Sequence, residues 1–101
     1  MIITIQKEND VFTFTIEGKL DSFSSPKLQD KLLPAIENAK KVKLDFTNVE
    51  YISSAGLRVL LLGEKTARAK NKIMYIFNVS EKVMNIFIMT GFADMLYIEK
   101  G

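Results

Sequence analysis

Two adjacent hydroxyls, Ser53 and Ser54, stand where a strand-like run from Asp45 to Ile52 passes into a helical pattern opening with Ala55, Gly56 and Leu57. The start of a helix leaves backbone N–H donors without intrahelical acceptors and carries the positive end of the helix dipole. A serine placed there could take a phosphoryl group without unfolding the chain, its new oxygens meeting donors expected at Gly56 and Leu57. Serine is equally a preferred N-cap, whose oxygen only satisfies a first-turn amide. On residue chemistry alone both roles are open to Ser54.

Few other groups could do chemistry. The 101 residues include no Cys and no His, which removes disulfides, thiol nucleophiles, the usual zinc ligands and every His-dependent triad. Asp21 and Asp45 could in principle form a carboxylate pair, although Asp45, near a strand end, is better suited to capping the following turn. Neither the phosphate-loop pattern nor the dinucleotide-binding glycine pattern is present. A chain without catalytic activity is expected, with no cofactor and no metal.

Fourteen basic residues (14 Lys and Arg) oppose 12 acidic ones for a net charge of +2, too weak to argue for nucleic acid or an anionic membrane. Lys65, Arg68, Lys70 and Lys72 gather near one helix end, where they complement the dipole. The first residues, Met1-Ile2-Ile3-Thr4-Ile5, lack the basic region and long apolar run of a signal peptide, and no stretch reaches membrane-span length. A cytoplasmic location is the expectation.

The elements that must position the serines follow from hydrophobic period. Ile2 to Ile5 and Val11 to Ile16 read as a hairpin, since Phe12, Phe14 and Ile16 alternate with threonines. Ser25-Pro26 reads as cap and first residue of a helix whose Leu28, Leu32 and Ile36 share a face, with Pro34 weakening its second half. Val42, Leu44 and Phe46 make a third strand, parallel to the second through the crossover. Leu57, Leu60, Leu61 and Ala67, widened by Val59 and Leu62, make the second helix. Ile73 to Phe77 reads as a central, two-sided strand.

Ser80 caps a third helix with Val83, Ile86, Phe87 and Thr90 on one face. Met89 is expected to pack in the core, while Met84 and Ile88 could face a partner. Leu96-Tyr97-Ile98 closes the chain as a last strand. The expected fold class is α/β: one layer of mixed β-sheet packed against α-helices, order β-β-α-β-α-β-α-β, as a single domain over residues 1–101.

The stretch from Asp45 to Leu57 resembles the signature of STAS-domain anti-sigma-factor antagonists, matched by Asp45, Thr47, Val49, Ser54, Gly56 and Leu57. Gly18-Lys19-Leu20-Asp21 and the element order extend the resemblance over nearly the whole chain. It implies a monomer that, unphosphorylated, binds an anti-sigma factor which is also a serine kinase, so freeing the sigma factor. Phosphorylation at Ser54 would reverse this, and a phosphatase would reset it. It also implies that Asp21 lies near the serine and takes part in kinase recognition.

The expected docking surface comprises Asp21, Ser53, Ala55, Gly56, Leu57 and Arg58. Gly56 would let a partner approach closely or would pack helix on strand. Arg58 opposes the helix dipole, which hints at a compensating carboxylate or phosphate. Related antagonists often carry Asp before the phosphoacceptor, where this chain has Ser53. Ser53 is thereby left as an alternative acceptor, and a phosphorylation-independent STAS adaptor docking on a transporter ATPase or another signalling protein stays open.

Overall fold

In a computed structural model, which describes residues 1–99, the first two strands, β1 (Ile2–Glu8) and β2 (Val11–Leu20), form the expected antiparallel hairpin with Glu8 opposite Val11. Asn9 and Asp10 link them at φ 50° and 65°, the left-handed pair that matches strand twist in a two-residue turn. The chain then runs through α1 (Ser25–Asn38), β3 (Lys41–Ile52), α2 (Ser54–Ala69), β4 (Ile73–Phe77) and α3 (Glu81–Met89). A short 3-10 turn, Phe92–Asp94, follows. The sheet order is β1-β2-β3-β4, with β2–β3 and β3–β4 parallel across their helical crossovers.

Register puts Phe14, Leu44 and Ile76 in one row, and all three are buried. Leu28, Leu32 and Ile36 of α1, Leu57 and Leu60 of α2, and Val83 and Phe87 of α3 complete one continuous core on that sheet face. Burying side chains of this size contributes roughly 1.5 to 3 kcal/mol each against conformational entropy. Within the chain, a bend at Gly18 (φ 103°) accompanies two register shifts between β2 and β3, after which Leu20 pairs with Ile52. This irregular end of the sheet carries the serines.

Several expectations are refined. The cap of α1 is Ser24, not Ser25, and Pro26 is the second helical residue; the shift arises because the Ser25 amide already donates to Asp21 O at 2.8 Å. α1 runs unbroken through Pro34, which is exposed, so water can serve the Asp30 carbonyl that the proline leaves without a donor. β4 is not buried on both faces: Tyr75 and Phe77 are only half-buried, with the Lys43 ammonium 6.0 and 5.5 Å from their ring centroids. The apolar run is covered there by lysine stems, as long charged side chains can do.

Met89 is 85 % exposed rather than in the core, and Met84 is half-buried against it. Among the described residues the last strand is reduced to one parallel bridge between Ile76 and Ile98. It is held by Ile76 N donating to Tyr97 O at 3.0 Å and Glu99 N to Ile76 O at 2.8 Å. Among the described residues, no helix is long and apolar enough to cross a membrane.

Candidate functional site: the open start of the second helix

Ser53 is the N-cap of α2, in extended conformation (φ −94°, ψ 175°), and Ser54 is the first helical residue. The strand-to-helix passage is abrupt because β3 still pairs at Ile52 with Leu20, and the next amide, Ser53 N, donates to Leu20 O at 2.9 Å. That bond ties the start of α2 to the end of β2, one residue before Asp21.

The capping role open to a serine here is not taken up. The Ser53 side chain makes no capping hydrogen bond, and its Oγ is buried without any hydrogen-bond partner. Ser54 is exposed. Leu57 N donates to Ser53 O at 3.0 Å as the first helical bond, so its amide is spent and does not face an anion at Ser54. The donors at the mouth are instead the amides ahead of it, those of Ala55 and Gly56.

Gly56 is buried, and a Cβ built on it would lie 2.8 Å from both Leu20 Cγ and Leu20 O and 2.9 Å from Ile52 Cγ1. Close packing of helix on strand therefore accounts for this glycine. Leu57 is 3 % exposed and belongs to the core, so neither residue offers a side chain to the expected docking surface. Ala55 is half-buried, and Arg58 is exposed. Among the described residues the ion pairs are Glu64–Arg68 and Glu37–Lys70, so Arg58 remains free of a carboxylate. With Ser25, Asp30, Ala55, Val59 and Leu62 it lines an open groove of about 450 Å³ between α1 and α2.

Asp21 organises the loop between β2 and α1. Its Oδ1 accepts from the amides of Phe23 and Ser24, both at 3.0 Å. Ser24 Oγ accepts from Asp21 N at 2.9 Å and donates to Lys19 O at 2.7 Å. The Ser24 amide, with the smaller help of Phe23, holds the Asp21 carboxyl below its ordinary pKa, because bonds to the ionised form favour it.

Asp45 is also lowered: partial desolvation pushes it up, but Thr47 through hydroxyl and amide, together with Asn78, outweighs that. Its carboxylate accepts from Thr47 Oγ1 at 2.6 Å and Thr47 N at 3.0 Å; because β3 runs on to Ile52, it braces an irregular register inside the strand instead of capping a following turn as expected. Asp45 lies seven residues before Ile52 on β3, roughly 20 Å back along the strand from the Asp21 end. The two aspartates form no catalytic pair, and among the described residues no cluster of three or more metal-ligating side chains occurs.

Two residues escaped the sequence reading. Phe23, in the loop braced by Asp21, is 88 % exposed; its only signal was an aromatic isolated in a polar run, Asp21-Ser22-Phe23-Ser24-Ser25. Glu64, on α2, is 5 % exposed, and nothing in a stretch rich in basic residues marked it as buried.

Residues 3–100 match the STAS domain family. An anti-sigma-B factor antagonist of Bacillus subtilis (strain 168) is 31 % identical over 93 residues, 92 % of this chain and 84 % of its own length. The crystal structure of an anti-sigma factor antagonist from Mycobacterium paratuberculosis has a TM-score of 0.87 at 15 % identity, covering 99 % of this chain and 86 % of that one. The Bacillus cell fate determinant SpoIIAA in its phosphorylated form has a TM-score of 0.76 at 15 % identity, covering 98 % and 92 %. The two structures establish likeness of fold alone, but the match spans nearly the whole sequence, and the chain belongs to the STAS-domain family.

Proposed function

We propose that this chain is an anti-sigma-factor antagonist, a regulatory binding protein rather than an enzyme, switched at Ser54. Unmodified, it binds an anti-sigma factor that is also a serine kinase, and the sigma factor is freed. Phosphorylated, it is released from that partner until a phosphatase restores it. It works in this reading as a cytoplasmic monomer.

The observation that carries the reading is the contrast at the mouth of α2: Ser54 is exposed beside amides that no side chain caps, whereas Ser53 Oγ is buried. A kinase can reach the first hydroxyl and not the second. A phosphate there adds about −1.5 to −2 charges. Near a helix start such an anion is stabilised by about 0.3 to 1 kcal/mol, so the fold tolerates it. A partner that must desolvate it against its own carboxylates does not. A penalty of about 3 to 4 kcal/mol would weaken binding a few hundredfold, enough for a switch.

Purified anti-sigma factors of the same organism, tested with ATP and intact-mass detection, should include one that adds a single phosphate, abolished by Ser54→Ala. Ser54→Asp should keep stability within about 1 kcal/mol of the parent yet lose that partner. A chain that stays unmodified with every such factor would point to a phosphorylation-independent adaptor instead.

A further inference from the structure

We infer that Phe23 is the aromatic anchor by which the kinase partner proposed above grips the chain, an inference resting on that reading, and that Asp21 is a positioning residue that presents the ring. The expected contact between Asp21 and the partner is thereby reassigned.

An 88 % exposed phenylalanine leaves most of a large apolar surface in water, and folding gains nothing from it. Such a ring contributes on binding when its backbone is already ordered, because little entropy is then lost. Here the backbone is ordered on both sides. Asp21 Oδ1 holds the amides of Phe23 and Ser24, Ser24 Oγ is fixed to Lys19 O, and the Ser25 amide closes onto Asp21 O. Exposed aromatics presented in this way are the residue type that dominates interface energetics.

Location connects the ring to the switch. Phe23 lies three residues beyond Leu20, and Ser54 one beyond Ser53, and the Ser53–Leu20 hydrogen bond joins those two points. Ser22, next to Phe23, lines a groove with Ala55 and Arg58 of α2, so a partner that covers Ser54 meets the loop that carries the ring. Charge then describes the partner: the exposed Lys19 and Lys27 line the same depression as Phe23, against one carboxylate there, that of Asp21, whose Oδ1 is engaged by the loop's own amides. The fitting receptor is an apolar pocket with carboxylates on its rim. Those carboxylates would attract the lysines and repel a phosphate on Ser54, so that one feature serves both docking and release.

The test is a titration of the unmodified chain and its variants against the purified anti-sigma factor that binds the wild type. Phe23→Ala should bind about 30-fold more weakly, as hot-spot truncations do, with an unchanged melting temperature because the ring is solvated. Asp21→Ala should lose affinity similarly, whereas Asp21→Asn, which keeps the Oδ1 acceptor, should stay within about threefold of wild type. Wild-type affinity in Phe23→Ala overturns the anchor. An Asp21→Asn variant as weak as Asp21→Ala overturns the positioning role and makes the charge itself the contact. Failure of every anti-sigma factor to bind the wild type overturns the antagonist reading, and the anchor with it.

Discussion

Ser53 and Ser54 are the same residue type one peptide apart, but the first has a buried Oγ with no hydrogen-bond partner and the second is exposed. A buried hydroxyl without a partner carries a desolvation cost of about 1 to 3 kcal/mol. Ser53→Ala removes that group and breaks no capping bond, since none is made. Chemical denaturation should therefore show the variant unchanged or more stable by about 1 kcal/mol, where loss of a working cap would cost about 0.5 to 2 kcal/mol. A clear loss would mean that the hydroxyl caps α2 in solution and that the helix mouth is closed to an anion. The same variant should still gain one phosphate, because the reachable hydroxyl is untouched.

At the scale of elements, the site depends on how closely α2 sits on the end of β2. Gly56 sets that distance, and two of the atoms a Cβ would meet are side-chain carbons while the third is the Leu20 carbonyl oxygen, which cannot swing aside. Gly56→Ala is expected to lower stability by about 1 to 3 kcal/mol, read from thermal or denaturant unfolding, as overpacking does. An unperturbed variant would show that helix and strand can separate at no cost.

Much of this architecture was legible because it follows period. Alternation at Phe12, Phe14 and Ile16 and again at Val42, Leu44 and Phe46 specifies strands with one buried face, and four-residue spacing in Leu28, Leu32 and Ile36 specifies the helix that crosses between them. What was not legible depends on partners distant in sequence. The Ile73–Phe77 run is apolar enough for a two-sided strand, and only Lys41 and Lys43 on β3, lying over Tyr75 and Phe77, reveal its outer face. Likewise the choice of Ser24 as cap is made by Asp21, and the inward turn of Leu57 by the packing at Gly56.

For the molecule as a whole, Glu64 joins the far end of α2 to the C-terminal segment. Its Oε1 accepts from Tyr97 N at 3.2 Å and its Oε2 pairs with Arg68 Nε at 3.0 Å, while Ile98 bridges to β4. Among the described residues the segment adds one bridge to the sheet, and Leu96 and Ile98 pack it against the core, so this carboxylate is the polar tie that joins it to α2. Glu64→Ala should lower global stability by roughly 2 kcal/mol, through the unpaired Tyr97 amide and the vacated space. Amide hydrogen exchange at Glu99 and Ile76, whose bonds hold the segment, should accelerate beyond that global change, while Phe14 and Leu44 follow the global change alone. Glu64 lies ten residues from Ser54, about 15 Å along the helix, so partner binding at the serine should persist in the variant. Uniform acceleration at all four amides would show instead that the carboxylate supports the core as one cooperative unit, with no separable latch at its edge.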